Sequence, residues 1–171
     1  LDITSNFSSI YNIDNSISCV GPKICNFGIN HSQDLLDNII EAFKDTTVDI
    51  KTALPKIRIS GCHNSCAHPQ IGLIGLIGKK KRTDDGLIPV YSISFNGKVG
   101  SNIARFGEVY GEIAAKKVPK FILELASLKV NSGIIDFVEF IENKEIVVKE
   151  LVTKYSSLES FSENADLYSD F

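Results

Sequence analysis

Apolar residues recur along this chain at two spacings, and each spacing predicts its own element. Leu35, Leu36, Ile39, Ile40 and Phe43 return every three or four positions. Positions 33–45 therefore predict an amphipathic helix, with His31 or Ser32 as its cap and Ser32 the chemically better one. Pro119 opens a second helix through Leu128, whose apolar stripe is Phe121, Ile122, Leu125 and Leu128. Ile135–Ile141 and Glu145–Tyr155 read as two more helices. Lys56–Ser60 instead alternates as K-I-R-I-S, which predicts a half-buried strand. Ile17–Val20 reads as a short strand, and Pro22–Gly28 as a helical turn. Ile71–Gly78 is a short apolar strand whose glycines permit close backbone approach. Val90–Phe95 alternates again and runs into Asn96-Gly97, a hairpin signal, with Lys98–Val99 starting the return strand. Between these strands, Lys79–Gly86 reads as a charged turn.

Both ends differ from the middle. Residues 1–16 are rich in Asn, Ser and Asp and predict a poorly structured lead-in. Residues 156–171 predict a loosely ordered acidic tail. Strands mixed with helices, without βα alternation or an internal repeat, point to an α+β fold. The expected form is a mixed or antiparallel β-sheet flanked by helices, a two-layer α/β sandwich over residues 17–155.

Composition narrows the function classes. With 171 residues, the chain is long enough for one domain with a real core. Its net charge of −3 argues against a nucleic-acid partner, which would call for a basic surface. No apolar run is long enough to span a bilayer, and no secretory signal is visible, so the expected location is cytoplasmic. The chain starts at Leu1 and has no Met, which predicts a processed chain or a piece of a larger polypeptide. There is no phosphate loop, dinucleotide fingerprint or nucleophile elbow.

The four cysteines carry the chemistry. Cys19 and Cys25 are spaced C-x5-C, and Cys62 and Cys66 are spaced C-x3-C. Four thiolates can hold one zinc ion or one 4Fe-4S cluster. Structural zinc favours tighter C-x2-C knuckles, whereas a more open loop suits a larger cubane. Disulfides remain a third reading, although they are rare in the cytosol. Gly21 and Gly61 flank the cysteines, where backbone N–H groups can turn toward sulfur. Asn64 and Ser65 add side-chain donors.

The segments C-V-G-P-K-I-C and K-I-R-I-S-G-C-H-N-S-C-A together resemble the double motif of the siroheme-dependent nitrite/sulfite reductase family. The resemblance runs over about residues 17–128 and includes I-G-L-I-G-L-I-G, V-Y-S-I-S-F-N-G-K-V-G, the Arg105 region and V-P-K-F-I-L-E-L. It implies that residues 17–155 form the C-terminal, cluster-binding half of such an enzyme. Cys19, Cys25, Cys62 and Cys66 would hold a 4Fe-4S cluster, and Cys66 would also bridge to the iron of siroheme. Asn64 and Arg105 would contact the cofactors. The implied reaction is six-electron reduction of sulfite to sulfide or nitrite to ammonia, fed by a ferredoxin or flavoprotein. The implied N-terminal half of the same enzyme would supply most of the siroheme and substrate contacts, so this chain alone should be inactive. The alternative is a non-catalytic four-cysteine metal-binding module, holding zinc or an electron-relay cluster.

Other residues have plainer readings beside the functional ones. Lys79–Arg82 (KKKR) can meet siroheme carboxylates or an acidic donor, and can equally be a solvated turn. Arg105 and Lys98 can serve an anion pocket or a structural role. His63 and His68 flank Cys66, and with four cysteines at hand they read as neighbours rather than ligands.

Overall fold

The computed structural model describes residues 9–101 and 103–171. A five-stranded mixed sheet is built, in spatial order, from β1 (Ile17–Ser18), β2 (Ile57–Ser60), β3 (Ile74–Thr83), β4 (Gly86–Phe95) and β7 (Glu108–Ala114). The first three run parallel, and β4 is antiparallel to both β3 and β7. A separate two-stranded ribbon pairs β5 (Lys98–Gly100) with β6 (Ile103–Arg105). Helices α1 (Ser32–Phe43) and α2 (Val48–Ala53) connect β1 to β2, while α3 (Val118–Ser132), α4 (Phe137–Asn143) and α5 (Glu145–Ser156) follow β7. The α+β architecture expected from the pattern is the one observed.

Alternation explains where the core sits. On β4, Tyr91, Ile93 and Phe95 face the same way as their partners on β3, Ile74 and Leu76, and all five join the main core. Leu35, Ile39 and Phe43 of α1 and Phe121, Ile122 and Leu125 of α3 fill it from the helix side. The opposite face of the sheet carries Arg58, Ser60, Gly75, Ser92, Ser94, Lys79 and Glu112 by the same register. The helix boundaries have local causes. Pro119 lies in the first turn of α3, and Gly133, at φ +70°, ends it. The Asp136 carboxylate accepts the Glu139 N–H at 2.9 Å and caps α4.

Several expectations are corrected. Lys79–Thr83 continue β3, and the turn shrinks to Asp84 and Asp85. A run of four cations hides the alternation, but opposite faces pair them differently. Lys79 and Lys81 both meet Glu112, whereas Lys80 meets Asp170. Asn96-Gly97 does not turn β4 back on itself. Lys98 begins the ribbon, and the strand that returns beside β4 is β7. Gly97 instead donates its N–H to the Gly72 carbonyl at 3.0 Å. Strands β6 and β7 and helix α2 are additions to the pattern reading.

The expected lead-in falls partly outside the described residues, at positions 1–8. Within 9–16, Ile13 is buried in the core, and Ser16 Oγ accepts the Ile57 N–H at 2.9 Å. The tail is packed rather than loose. A short 3-10 turn at Ala165–Tyr168 places Leu167 against Ile88, Val90 and Ala114 on the far face of the sheet. Scattered aromatic and apolar residues suffice because one strand face was left to cover.

Phe121→Ala should cost about 3–5 kcal/mol of unfolding free energy, because Phe121 is fully buried. Ile135→Ala, on a side chain 92% exposed, should stay within about 0.5 kcal/mol. Urea denaturation of the two variants checks both.

Candidate metal centre

The cysteines leave the sheet at two adjacent strand ends. Cys19 follows β1 directly, and Gly61-Cys62 follows β2. Because β1 and β2 are parallel neighbours, both loops start from the same edge. The ladder extends one step further, with Cys19 N–H donating to Ile59 O at 3.0 Å. Gly61 N–H then points at Cys19 Sγ at 3.2 Å. Only glycine fits there, since a Cβ on Gly61 would lie 2.3 Å from the Asn30 carbonyl oxygen.

The first loop, residues 19–31, is held from three sides. Asn30 N–H donates to Gly61 O at 2.9 Å, and the Asn30 amide donates to Val90 O at 2.9 Å and Lys79 O at 3.2 Å. Cys25 N–H donates to Gly21 O at 2.9 Å, with Gly21 in the left-handed region at φ +66°. Lys23, between the two cysteines, pairs with Asp34 of α1 at 2.5 Å. Residues 22–24 and 26–27 are turns, and the Cys25-to-Gly21 bond closes a single helical turn that goes no further.

The second loop, residues 61–73, returns across the polar face of the sheet to start β3. Arg58 donates to Ala67 O at 3.1 Å, and Ser60 Oγ accepts the Ala67 N–H at 3.1 Å. The path runs so low that a Cβ on Gly75 would lie 2.1 Å from Pro69 O. Ser65 and His68 both take positive φ, at 58° and 52°. This irregular backbone leaves Cys62 buried and Cys66 exposed. Asn64, His63 and His68 are exposed on the same loop.

All four thiols are free. Soft sulfur donors suit zinc or an iron–sulfur centre and exclude a hard-cation site. The Gly61 N–H on Cys19 Sγ is the kind of contact an anionic thiolate centre uses. Burial opposes the charged form of Cys19, yet the Gly61 N–H, the Ser32 hydroxyl and the Gly21 N–H together hold its pKa below the usual thiol value. The donor chemistry thus fits a metal centre. Among the described residues, however, no three His, Cys, Asp or Glu side chains are gathered on one metal position.

The other sequence candidates lie elsewhere. Arg105, on the β5–β6 ribbon, donates from Nε to Asn96 O at 3.2 Å and lines a cavity of about 150 Å³ with Phe106, Glu108, Tyr110 and Glu142. No cysteine lines that cavity. Lys79, Lys80 and Lys81 are paired with carboxylates of this same chain. Two residues at the site carried no functional signal in the sequence. Asn30 is fully buried and ties loop to sheet. Ser32 makes no side-chain cap; His31 occupies the cap position, and the Ser32 hydroxyl turns back to Cys19. The helix-start pattern explained Ser32 well enough to hide its second contact.

No family model matches the chain. It is 31% identical over 111 residues to a protein named ferredoxin–nitrite reductase from Synechococcus elongatus, covering 64% of this chain and 21% of the relative. It is 32% identical over 87 residues to the protein of that name from Leptolyngbya laminosa, covering 50% of this chain and 16% of the relative. The chain therefore spans about a fifth or less of the length of these curated relatives. Its fold resembles the solved structure of the Mycobacterium tuberculosis NirA protein with a TM-score of 0.65, over 81% of this chain and 26% of that one. At 21% identity, that likeness is one of fold.

The Lys23–Asp34 pair gives the first loop a pH dependence. The hydrogen bond from Lys23 holds the Asp34 carboxyl below its usual value. A carboxylate depressed in the folded state stabilises above its unfolded pKa, and that support is lost as pH falls through the folded one. The protection factors of the amides in residues 21–28, corrected for the slowing of intrinsic exchange in acid, should fall as pH falls through the folded pKa. Asp34→Asn should lower the same protection factors at neutral pH, with those across β3 and β4 unchanged.

Proposed function

We propose, from the premise that this chain belongs to the nitrite/sulfite reductase family, that it is the part of such an oxidoreductase that holds a 4Fe-4S cluster on Cys19, Cys25, Cys62 and Cys66. The observation that carries this reading is the pairing of β1 with β2, which starts both cysteine loops at one sheet edge and sets the Gly61 N–H on Cys19 Sγ. When bound, such a cluster passes single electrons to siroheme, where nitrite or sulfite is reduced.

The residues of this chain divide the work. Arg58, Ser60 and Asn30 fix where the loops begin and end. Gly61 admits the backbone donor. Buried Cys62 anchors the second loop from inside. Exposed Cys66 is the thiol best placed to be shared with siroheme bound against another part of the enzyme, and its exposure supports that bridging role. Asn64, exposed on the same loop, is a candidate contact for that cofactor. Arg105 is a weaker one, because its Nε already donates to the Asn96 carbonyl just past β4.

The large share of the relatives' length outside this chain supports a second, N-terminal region that supplies the remaining siroheme and substrate contacts. On that reading, turnover and the choice between nitrite and sulfite belong to the whole enzyme, and so does the ferredoxin or flavoprotein that donates the electrons. A cytoplasmic setting suits free thiols of this kind. Among the described residues, no helix is long and apolar enough to cross a membrane.

Anaerobic reconstitution with iron and sulfide tests the reading. The expected outcome is about four irons and four sulfides per chain with a broad visible band. Replacing any one cysteine by alanine should lower the iron bound. Tight zinc in place of a stable cluster would favour the non-catalytic four-cysteine module. In the full-length enzyme, Cys66→Ser should weaken the magnetic coupling between cluster and siroheme and abolish turnover.

A further inference from the structure

Ser32 is the first residue of α1 and is fully buried. Its Oγ lies 3.1 Å from Cys19 Sγ and 3.0 Å from the Cys19 carbonyl oxygen. A serine hydroxyl has one proton, so it cannot donate to both acceptors at once. With Cys19 as a thiol, the two contacts form a chain. The S–H donates to Oγ, and Oγ–H donates to the carbonyl. Once the sulfur binds a metal it has no proton to give, and it becomes an acceptor facing the hydroxyl at hydrogen-bond range. The backbone holds this arrangement in place, with Ser32 N–H donating to Asn30 O at 3.0 Å, and Gly21 leaves the room beside Ser32 Oγ that a Cβ, 3.3 Å away, would crowd. The hydroxyl is also free of the helix-capping role its position suggests.

We propose that Ser32 tunes the metal centre bound through Cys19, turning its proton from the Cys19 carbonyl onto the Cys19 sulfur when that sulfur is a ligand. The inference rests on the reading of Cys19 as a cluster ligand. Ser32 is then a positioning and tuning residue, one shell outside the metal. A hydrogen bond to a ligand sulfur offsets negative charge, so it stabilises the reduced cluster more than the oxidised one and raises the midpoint potential. The Gly61 N–H at 3.2 Å acts in the same sense but is built into the backbone. Ser32 is the contribution a side-chain substitution can remove.

The test compares the reconstituted chain with its Ser32→Ala and Ser32→Thr variants. Iron and sulfide content, the midpoint potential, and pulsed EPR of the reduced cluster after exchange into deuterium oxide are measured for each. The expected result is a midpoint shifted to more negative potential in Ser32→Ala, with loss of one exchangeable deuteron coupling. Ser32→Thr should keep both the wild-type midpoint and the coupling. A fully loaded Ser32→Ala with unchanged midpoint and coupling would overturn the proposal. So would loss of the cluster in both variants, since Ser32 would then be a packing residue. Loss in Ser32→Ala alone, with Ser32→Thr matching wild type, supports it. A wild-type chain that takes up no iron would instead overturn the cluster assignment itself.

Discussion

The pairing of the two residues of β1 with β2 is the constraint on which the site depends. Cys19 N–H continues that pairing onto Ile59, and Gly61 N–H answers it at the Cys19 sulfur. Without the pairing, the two cysteine loops would share no common origin. Everything around it serves to keep so short a strand in place. Ser16 Oγ accepts from Ile57, Ile13 is sunk in the core just upstream, and Asn30 ties the far end of the loop to Gly61 and Val90. These are local polar contacts placed where a two-residue strand has too few ladder bonds to hold itself.

Close backbone approach is the second theme. Gly61 fits under the Asn30 carbonyl, and Gly75 lies under Pro69 where the second loop crosses the sheet. The polar face of β2 and β3 becomes the floor of the site because these positions carry no Cβ. The Arg58 and Ser60 side chains reach up from that floor to hold the loop above it. The cationic run on β3 is engaged inside the chain, by Glu112 and Asp170. Part of the charge that resembles a docking patch in sequence is thus neutralised locally.

Much of the scaffold was legible in the sequence. Helix α1 and the strands β2 and β4 announce themselves through clean 3.6- and 2-residue periods. The ends of β3 were not legible, because Lys79–Arg82 obey the strand alternation in space but not in polarity. The Asn96-Gly97 signal misled for a related reason. Its turn chemistry is real, with Asn96 at φ 61°, but Gly97 is recruited by the Gly72 carbonyl rather than by a hairpin. The tail reads as polar because its anchors, Leu158, Leu167, Tyr168 and Phe171, stand scattered among acids and serines. Of the site, the cysteine spacing was visible at once. The Asn30 and Ser32 contacts were not, since each joins residues far apart in sequence through a polar side chain of ordinary type.

The shortness of β1 also sets the site apart from the frame. The β3–β4 hairpin joins neighbours in sequence, whereas β1 meets β2 across the whole α1–α2 connection, and closing a loop of that length carries an entropy cost that two ladder residues do little to offset. The main apolar core contains none of the four cysteines, so its burial does not wait for them. The apolar packing of the frame is therefore independent of whatever the two cysteine loops hold.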